Sequence, residues 1–157
     1  MTSTTTPRTA VHATFVVERE LDAPVARVWQ AFADPVQKHE WFGTSDDWTT
    51  LEDSDDFRVG GTAVSEGDFH DGPVSRYVAT YTDIVEHERI VLTYDMWLDG
   101  RHVSTSLGTY ELAPAAGDRT ALRYTEQGVH LDGIDDPAGR EEGTRGIFDT
   151  LARYLAR

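Results

Sequence analysis

The amino-acid sequence predicts an α+β domain: a curved antiparallel sheet of six or seven strands wrapped on a long C-terminal helix, with two short helices after the first strand. Three observations carry that expectation. An alternating strand is followed by two helix starts in tandem, five strand-like segments with short turns then run from residue 62 to residue 128, and helical period returns only at the end.

Val11, Ala13, Phe15 and Val17 alternate with more polar neighbours, the period of a half-buried strand. Asp22 reads as an N-cap with Pro24 in the first turn, where the missing N–H does no harm. Val25, Val28, Trp29 and Phe32 fall at i, i+3, i+4 and i+7, one apolar helix face. Asp34-Pro35 repeats the cap-plus-proline start, and a second short helix runs to about Trp41-Phe42 before Gly43 ends it.

Asp56-Phe57-Arg58-Val59-Gly60-Gly61 comes next, and its paired glycines allow positive φ or a tight reversal, so the motif predicts a hairpin between two strands. Strand-like segments follow at 62–69, 74–86, 88–98, 102–113 and 119–128. Asp71-Gly72-Pro73, Glu86-His87, Asp99-Gly100 and Ala115 to Asp118 separate them. From about Pro137 to Ala156 the period is helical, with Ile147, Leu151 and Leu155 on one stripe and Phe148 and Tyr154 beside it. A helix of ~16–18 residues spans roughly 24–27 Å, enough to lie along a whole sheet. Gly143 and Gly146 each cost on the order of 1 kcal/mol relative to Ala there. Either the helix packs closely on the sheet at these positions, or a patch without side chains leaves space for a ligand.

The 157 residues have the length of one domain, assigned to 10–157, and the Ser- and Thr-rich first nine residues read as a disordered tail without the apolar core of a signal peptide. No apolar run approaches the ~20 residues of a membrane span. With no cysteine, disulfides and thiolate metal sites are excluded, and a cytoplasmic location is the default. Twenty-eight acidic residues against 14 basic ones give a net charge of −14, which repels a phosphate backbone and excludes nucleic acid as a partner. Asp46-Asp47, Glu52 to Asp56 and Asp132 to Asp136 read as solvated acidic loops. Lys38 is the only lysine among thirteen arginines, a bias that speaks of genome or salt rather than function.

No catalytic, metal or cofactor site is assigned. His39-Glu40 and His87-Glu88 begin like a zinc-protease motif, but positions 43 and 91 are Gly and Val, so the second ligand is missing. There is no nucleophile elbow and no phosphate-binding glycine loop. His12, His39, His70, His87, His102 and His130 are scattered and read as surface or turn residues. On the strands, Tyr77, Ala79 and Tyr81 share one face, as do Tyr94, Met96 and Leu98, and Tyr110 and Leu112, with Tyr124 on the last strand. A bulge near Thr82-Asp83 would swap the faces.

The element order is that of the helix-grip fold, and the chain resembles the START/Bet v 1-like (SRPBCC) superfamily, within it the family named after the activator of the heat shock protein 90 ATPase. The residues that carry the resemblance are Ala23-Pro24, Val28-Trp29, Phe32, Asp34-Pro35, Trp41, Phe57 to Gly61, Asp83-Ile84-Val85, Glu88-Arg89-Ile90, and Thr120 with Leu122. It implies an apolar cavity between sheet and terminal helix, used across the superfamily for hydrophobic molecules.

Candidates to line that cavity are Trp29, Trp41, Tyr77, Tyr81, Tyr94, Met96, Tyr110, Tyr124, Gly143, Ile147 and Leu151. Pro24, Phe57, Arg58, Gly60 and Gly61 are assigned to the fold. Tyrosine offers apolar area plus an orienting hydroxyl, although such rings also fill cores. Many members carry Gly-Trp early in the last helix where this chain has Gly146-Ile147, which remakes one wall. Asp95, Arg101, His102 and Glu126 fall near the expected mouth. His102 beside Glu126 would give a base and its orienter, but the hairpin tip at Asp99-Gly100 favours an exposed pair.

The function expected is binding of a lipid- or polyketide-like molecule rather than catalysis. The alternatives are a cyclase- or dehydratase-like enzyme and a co-chaperone stimulating the heat shock protein 90 ATPase. A chaperone or a second copy of the chain enters as a further partner.

Overall fold

The computed structural model describes residues 8–43, 45–70 and 72–157. Met1 to Pro7 of the expected tail and Asp71 of the Asp71-Gly72-Pro73 turn lie outside them. Arg8 and Thr9, also assigned to the tail, are docked: the Arg8 guanidinium pairs with Asp132 at 3.1 Å, and the Thr9 amide donates to the same carboxylate at 3.0 Å.

The N-terminal alternation forms β1 (Ala10–Leu21), in which Val17 and Leu21 are buried. Helices α1 (Val25–Ala33) and α2 (Pro35–His39) follow. The N-cap of α1 is Pro24, without a side-chain cap bond, so the Asp22 expectation is corrected: its carboxylate instead accepts from Arg119 at 2.8 Å. Asp34 caps α2 as expected, accepting from the Val36 amide at 3.0 Å. Val28, Trp29, Ala31 and Phe32 form the buried face of α1, and Trp41 donates its indole N–H to the Ala31 carbonyl at 2.9 Å.

Seven strands make one antiparallel sheet in the order β1-β7-β6-β5-β4-β3-β2. They are β2 (Trp48–Asp55), β3 (Thr62–Phe69), β4 (Ser75–Val85), β5 (Arg89–Leu98), β6 (Arg101–Ala115) and β7 (Arg119–Leu131), with α3 (Pro137–Leu155) closing the chain. Consecutive strands from β2 to β7 are neighbours, as hairpin connections dictate. The β5–β6 turn carries positive φ at both Asp99 (48°) and Gly100 (78°), the backbone a two-residue hairpin demands. Register shifts between Thr50 and Glu52, Tyr81 and Asp83, and Met96 and Trp97 bend the sheet into the helix-grip shape.

β2 corrects the reading of Glu52 to Asp56 as a loop: residues 52–55 belong to an edge strand whose side chains are mostly exposed, so it shows no apolar alternation. The Asp56–Gly61 motif does link two strands, and it hooks onto a third. The Gly60 amide donates to the Tyr81 carbonyl at 2.8 Å, and the Tyr81 amide to that of Gly61 at 3.0 Å. Gly60 has φ +85° with open space around it, whereas a Cβ on Gly61 would sit 2.1 Å from the Asp56 carbonyl oxygen. Gly60→Ala is therefore expected to lose about 1 kcal/mol for left-handed backbone, and Gly61→Ala more than about 2 kcal/mol for a clash with backbone that cannot yield. Urea denaturation of both variants checks the order; equal losses would contradict it.

The core lies between the concave face and the helices. Phe32 contacts Trp41 and Tyr110 edge-on, at centroid distances of 4.9 and 5.2 Å, and Phe148 of α3 meets Tyr124 at 5.7 Å. No helix among the described residues is long and apolar enough to cross a membrane.

Candidate functional site

Strand parity turns Ser75 and Tyr77 of β4, Tyr94, Met96 and Leu98 of β5, Tyr110 of β6, and Tyr124 and Glu126 of β7 toward α3. The register shift beside Trp97 adds Val103 to the same face. α3 answers with Gly139, Arg140, Gly143, Thr144, Ile147 and Phe148, while Phe42, Gly43, Trp48, Ser65 and Phe69 close the remaining side. Together they bound a cavity of about 400 Å³. That lies within the range of roughly 300–1,000 Å³ typical of small-molecule sites.

Of the candidate lining residues, Tyr77, Tyr94, Met96, Tyr110, Tyr124, Gly143 and Ile147 border this space. Trp29, Trp41, Tyr81 and Leu151 do not, which corrects their placement. Trp29 packs on Phe57 and His87, Trp41 is held in the core by its bond to Ala31, and Leu151, on the buried side of α3, is fully buried in the core. Tyr81 turns its hydroxyl to Asp55, donating at 2.8 Å, while Lys38 Nζ donates to that hydroxyl at 3.0 Å. Pro24, Phe57, Arg58, Gly60 and Gly61 lie away from the cavity, in the α1 cap and the β2–β3 turn.

A Cβ added at Gly143 or Gly146 meets no atom within 4 Å, so close helix–sheet packing does not explain either glycine. Both glycines are exposed, and of the two only Gly143 borders the cavity.

Polar groups converge at one end. Glu126 is 2% exposed, and its Oε1 accepts from the hydroxyls of Tyr94 and Tyr124, each at 2.6 Å. Arg140 donates through Nη1 to Tyr94 Oη at 2.9 Å, and through Nη2 to Ser104 Oγ at 2.8 Å and Asp135 at 2.7 Å. Its Nη1 lies 3.7 Å from Glu126 Oε2. Gly108 faces Glu126 across the β6–β7 ladder, and a Cβ there would come within 2.7 Å of the Tyr124 hydroxyl. The glycine thus leaves room for that phenol to reach the carboxyl group.

His102 is not part of this cluster; it pairs with Asp95 at 2.9 Å on the exposed side, as its hairpin-tip position suggested. His130 corrects the surface reading of the histidines. It is 3% exposed, and its Nδ1 lacks a hydrogen-bond partner among the described residues. Burial, and then the nearby Arg140 charge, hold its pKa below the usual 6.5.

Withdrawal from solvent is the main cause that raises the pKa of Tyr77, Tyr81, Tyr94, Tyr110 and Tyr124 above the ordinary value near 10. Since the folded state favours the protonated phenols, their contribution is complete below pH 10 and is lost as pH rises beyond it. An alkaline titration followed by phenolate absorbance and near-ultraviolet circular dichroism is expected to show these five phenols ionising together with unfolding. Reversible ionisation of all five in folded protein would contradict their placement.

The family model for Activator of Hsp90 ATPase homolog 1-like protein matches residues 22–156. The chain belongs to this family. Among solved structures, a protein from Rhizobium leguminosarum is 41% identical, with a TM-score of 0.91 over 97% of this chain and 99% of that one. Mll3558 from Rhizobium loti is 44% identical, with a TM-score of 0.85 over 93% and 99%. An AHSA1-like protein from Aeromonas hydrophila, 23% identical with a TM-score of 0.68 over 92% of each chain, shares the fold. No curated protein matches the chain.

Within this AHSA1-like chain, sequence reasoning missed Arg140, Asp135 and Ser104. Arg140 precedes two glutamates and reads as part of a solvated face. Yet Arg140, Thr144, Ile147 and Leu151 follow the i, i+4, i+7, i+11 stripe, which carried back one turn points to Arg140.

Proposed function

We propose that the protein binds a hydrophobic small molecule in the cavity between the sheet and α3. The observation that carries this reading is the combination of about 400 Å³ of space, walls dominated by apolar and aromatic side chains, and a few polar groups gathered at one end. Tyr77, Met96, Tyr110, Gly143 and Ile147 serve as apolar contacts in this reading, and Tyr94, Tyr124, Glu126 and Arg140 orient the ligand. Native mass spectrometry of gently purified protein tests it: the expected result is an added mass that leaves on collisional activation, with the bare chain mass under denaturing conditions. If no such mass is found and neutral N-phenyl-1-naphthylamine fails to bind saturably, the reading is wrong.

A second reading, cyclase- or dehydratase-like chemistry, is favoured by one observation: an ionisable pair, Glu126 and Arg140, borders the cavity. A carboxylate beside a bound ketone can take an α-proton, and the adjacent guanidinium can stabilise the enolate oxygen that results. Deuterium exchange at the α-carbon of 2-acetylnaphthalene, accelerated by the protein and lost in Glu126→Gln, is the expected sign of such chemistry. Exchange no faster than in buffer would remove this reading while leaving the first intact.

A further inference from the structure

What the polar end of the cavity recognises, given the binding reading above, follows from the groups left free there. Glu126 has two carboxyl oxygens in different situations. Oε1 accepts from both Tyr94 and Tyr124, whereas Oε2 accepts no hydrogen bond among the described residues. Across from it, Arg140 Nη1 carries two hydrogens, of which one is used by Tyr94 Oη. Oε2 and Nη1 are 3.7 Å apart, beyond direct hydrogen bonding, and both residues border the cavity. The result is a gap with an acceptor on one side and a donor on the other.

A single hydroxyl oxygen meets both demands, donating its proton to Glu126 Oε2 and accepting from Arg140. A ligand carboxylate would set a second acceptor-only group against Glu126. An ammonium group has no lone pair for Arg140 and meets a guanidinium of its own sign. Water could occupy the gap, so an arriving ligand gains only by reproducing both bonds. The neighbouring walls are aromatic: Tyr77 packs on Tyr94 with centroids 4.8 Å apart, and Tyr110 on Tyr124 at 4.5 Å, the rings of each pair tilted. Such walls suit a flat partner. We propose that the Glu126–Arg140 gap is a subsite for a neutral hydroxyl group carried on a flat apolar skeleton.

Titrations of the whole protein with naphthalene, 2-naphthol and 2-naphthoate at pH 7, followed by ligand fluorescence, test this. 2-Naphthol is expected to bind at least about tenfold more tightly than either of the others, the value of one hydrogen bond to a charged group. In Glu126→Gln, where an amide N–H₂ replaces the free acceptor, its advantage over naphthalene is expected to fall below about threefold. Equal binding of naphthol and naphthalene, strongest binding of naphthoate, or an undiminished naphthol preference in the folded variant would each overturn the subsite but not the cavity reading. Binding of none of the three would overturn both. Should the variant fail to fold, the ranking of the three probes on the natural protein decides alone.

Discussion

Asp55→Ala is expected to lower the unfolding free energy by about 3–5 kcal/mol, the loss that follows when one partner of a buried ion pair is removed. Lys38, the only lysine, has a side chain just 11% exposed, and it meets Asp55, 9% exposed, at 2.7 Å. Tyr81 completes the cluster by donating to the same carboxylate, and the Lys38 ammonium sits 4.8 Å from the centre of the Phe42 ring. Asp55 comes from β2, Lys38 from α2 and Tyr81 from β4, so the three side chains fasten the helix pair to the far edge of the sheet. Without Asp55, a charged amine and a phenol remain buried with their main acceptor gone. The triple replacement Lys38→Met, Asp55→Leu and Tyr81→Phe is expected to regain most of the loss, because apolar side chains of similar size need no partner and no buried hydroxyl is left without one. Urea denaturation at unchanged m-value measures both; a loss below about 1 kcal/mol in Asp55→Ala would mean the pair behaves as a solvated one.

The second large effect is on binding. Gly143→Trp is expected to abolish uptake of N-phenyl-1-naphthylamine, a drop of roughly a hundredfold or more, which is equivalent to about 2.8 kcal/mol. The glycine borders the cavity, and a Cβ there has open space, so an indole has room to enter the volume a ligand would use. The fold is expected to tolerate the change, since replacing glycine within a helix removes a cost of up to about 1 kcal/mol. Gly143→Ala is the companion, with stability raised by about 0.5–1 kcal/mol and binding largely kept. Fluorescence titration with a thermal melt on each variant separates the outcomes. Undiminished binding in a folded Gly143→Trp would move the ligand site elsewhere.

The parts of this molecule legible in the sequence are those where one face of an element is buried and the other wet. β3 to β7 and α3 meet that condition, and their limits fall within a few residues of the period-derived ones. β2 does not: Thr49 to Ser54 are exposed, two of them acidic residues in the middle of the strand, so an edge strand looked like an acidic loop. The cavity was partly legible for a related reason. Strand parity puts Tyr77, Tyr94, Tyr110 and Tyr124 on the concave face, but it cannot tell a ring that borders space from one that does not, which is how Tyr81 was misplaced. The polar end was the least legible. Arg140 sits among charged residues, and only the three-dimensional meeting of β5, β7 and α3 shows that it, Glu126 and two phenols occupy one corner. His130 carries the same lesson: a lone ionisable residue reads as surface until its burial is seen.

The most direct test of the central claim is where a ligand lands. Backbone amide chemical shifts recorded during titration with N-phenyl-1-naphthylamine would locate it. Saturable shifts are expected at Tyr77, Tyr94, Met96, Gly143, Thr144 and Ile147, around the cavity of about 400 Å³ between the sheet and α3. Shifts confined to the opposite face of the sheet, around His12, Leu107, Gln127 and Val129, or no saturable shifts at all, would contradict it.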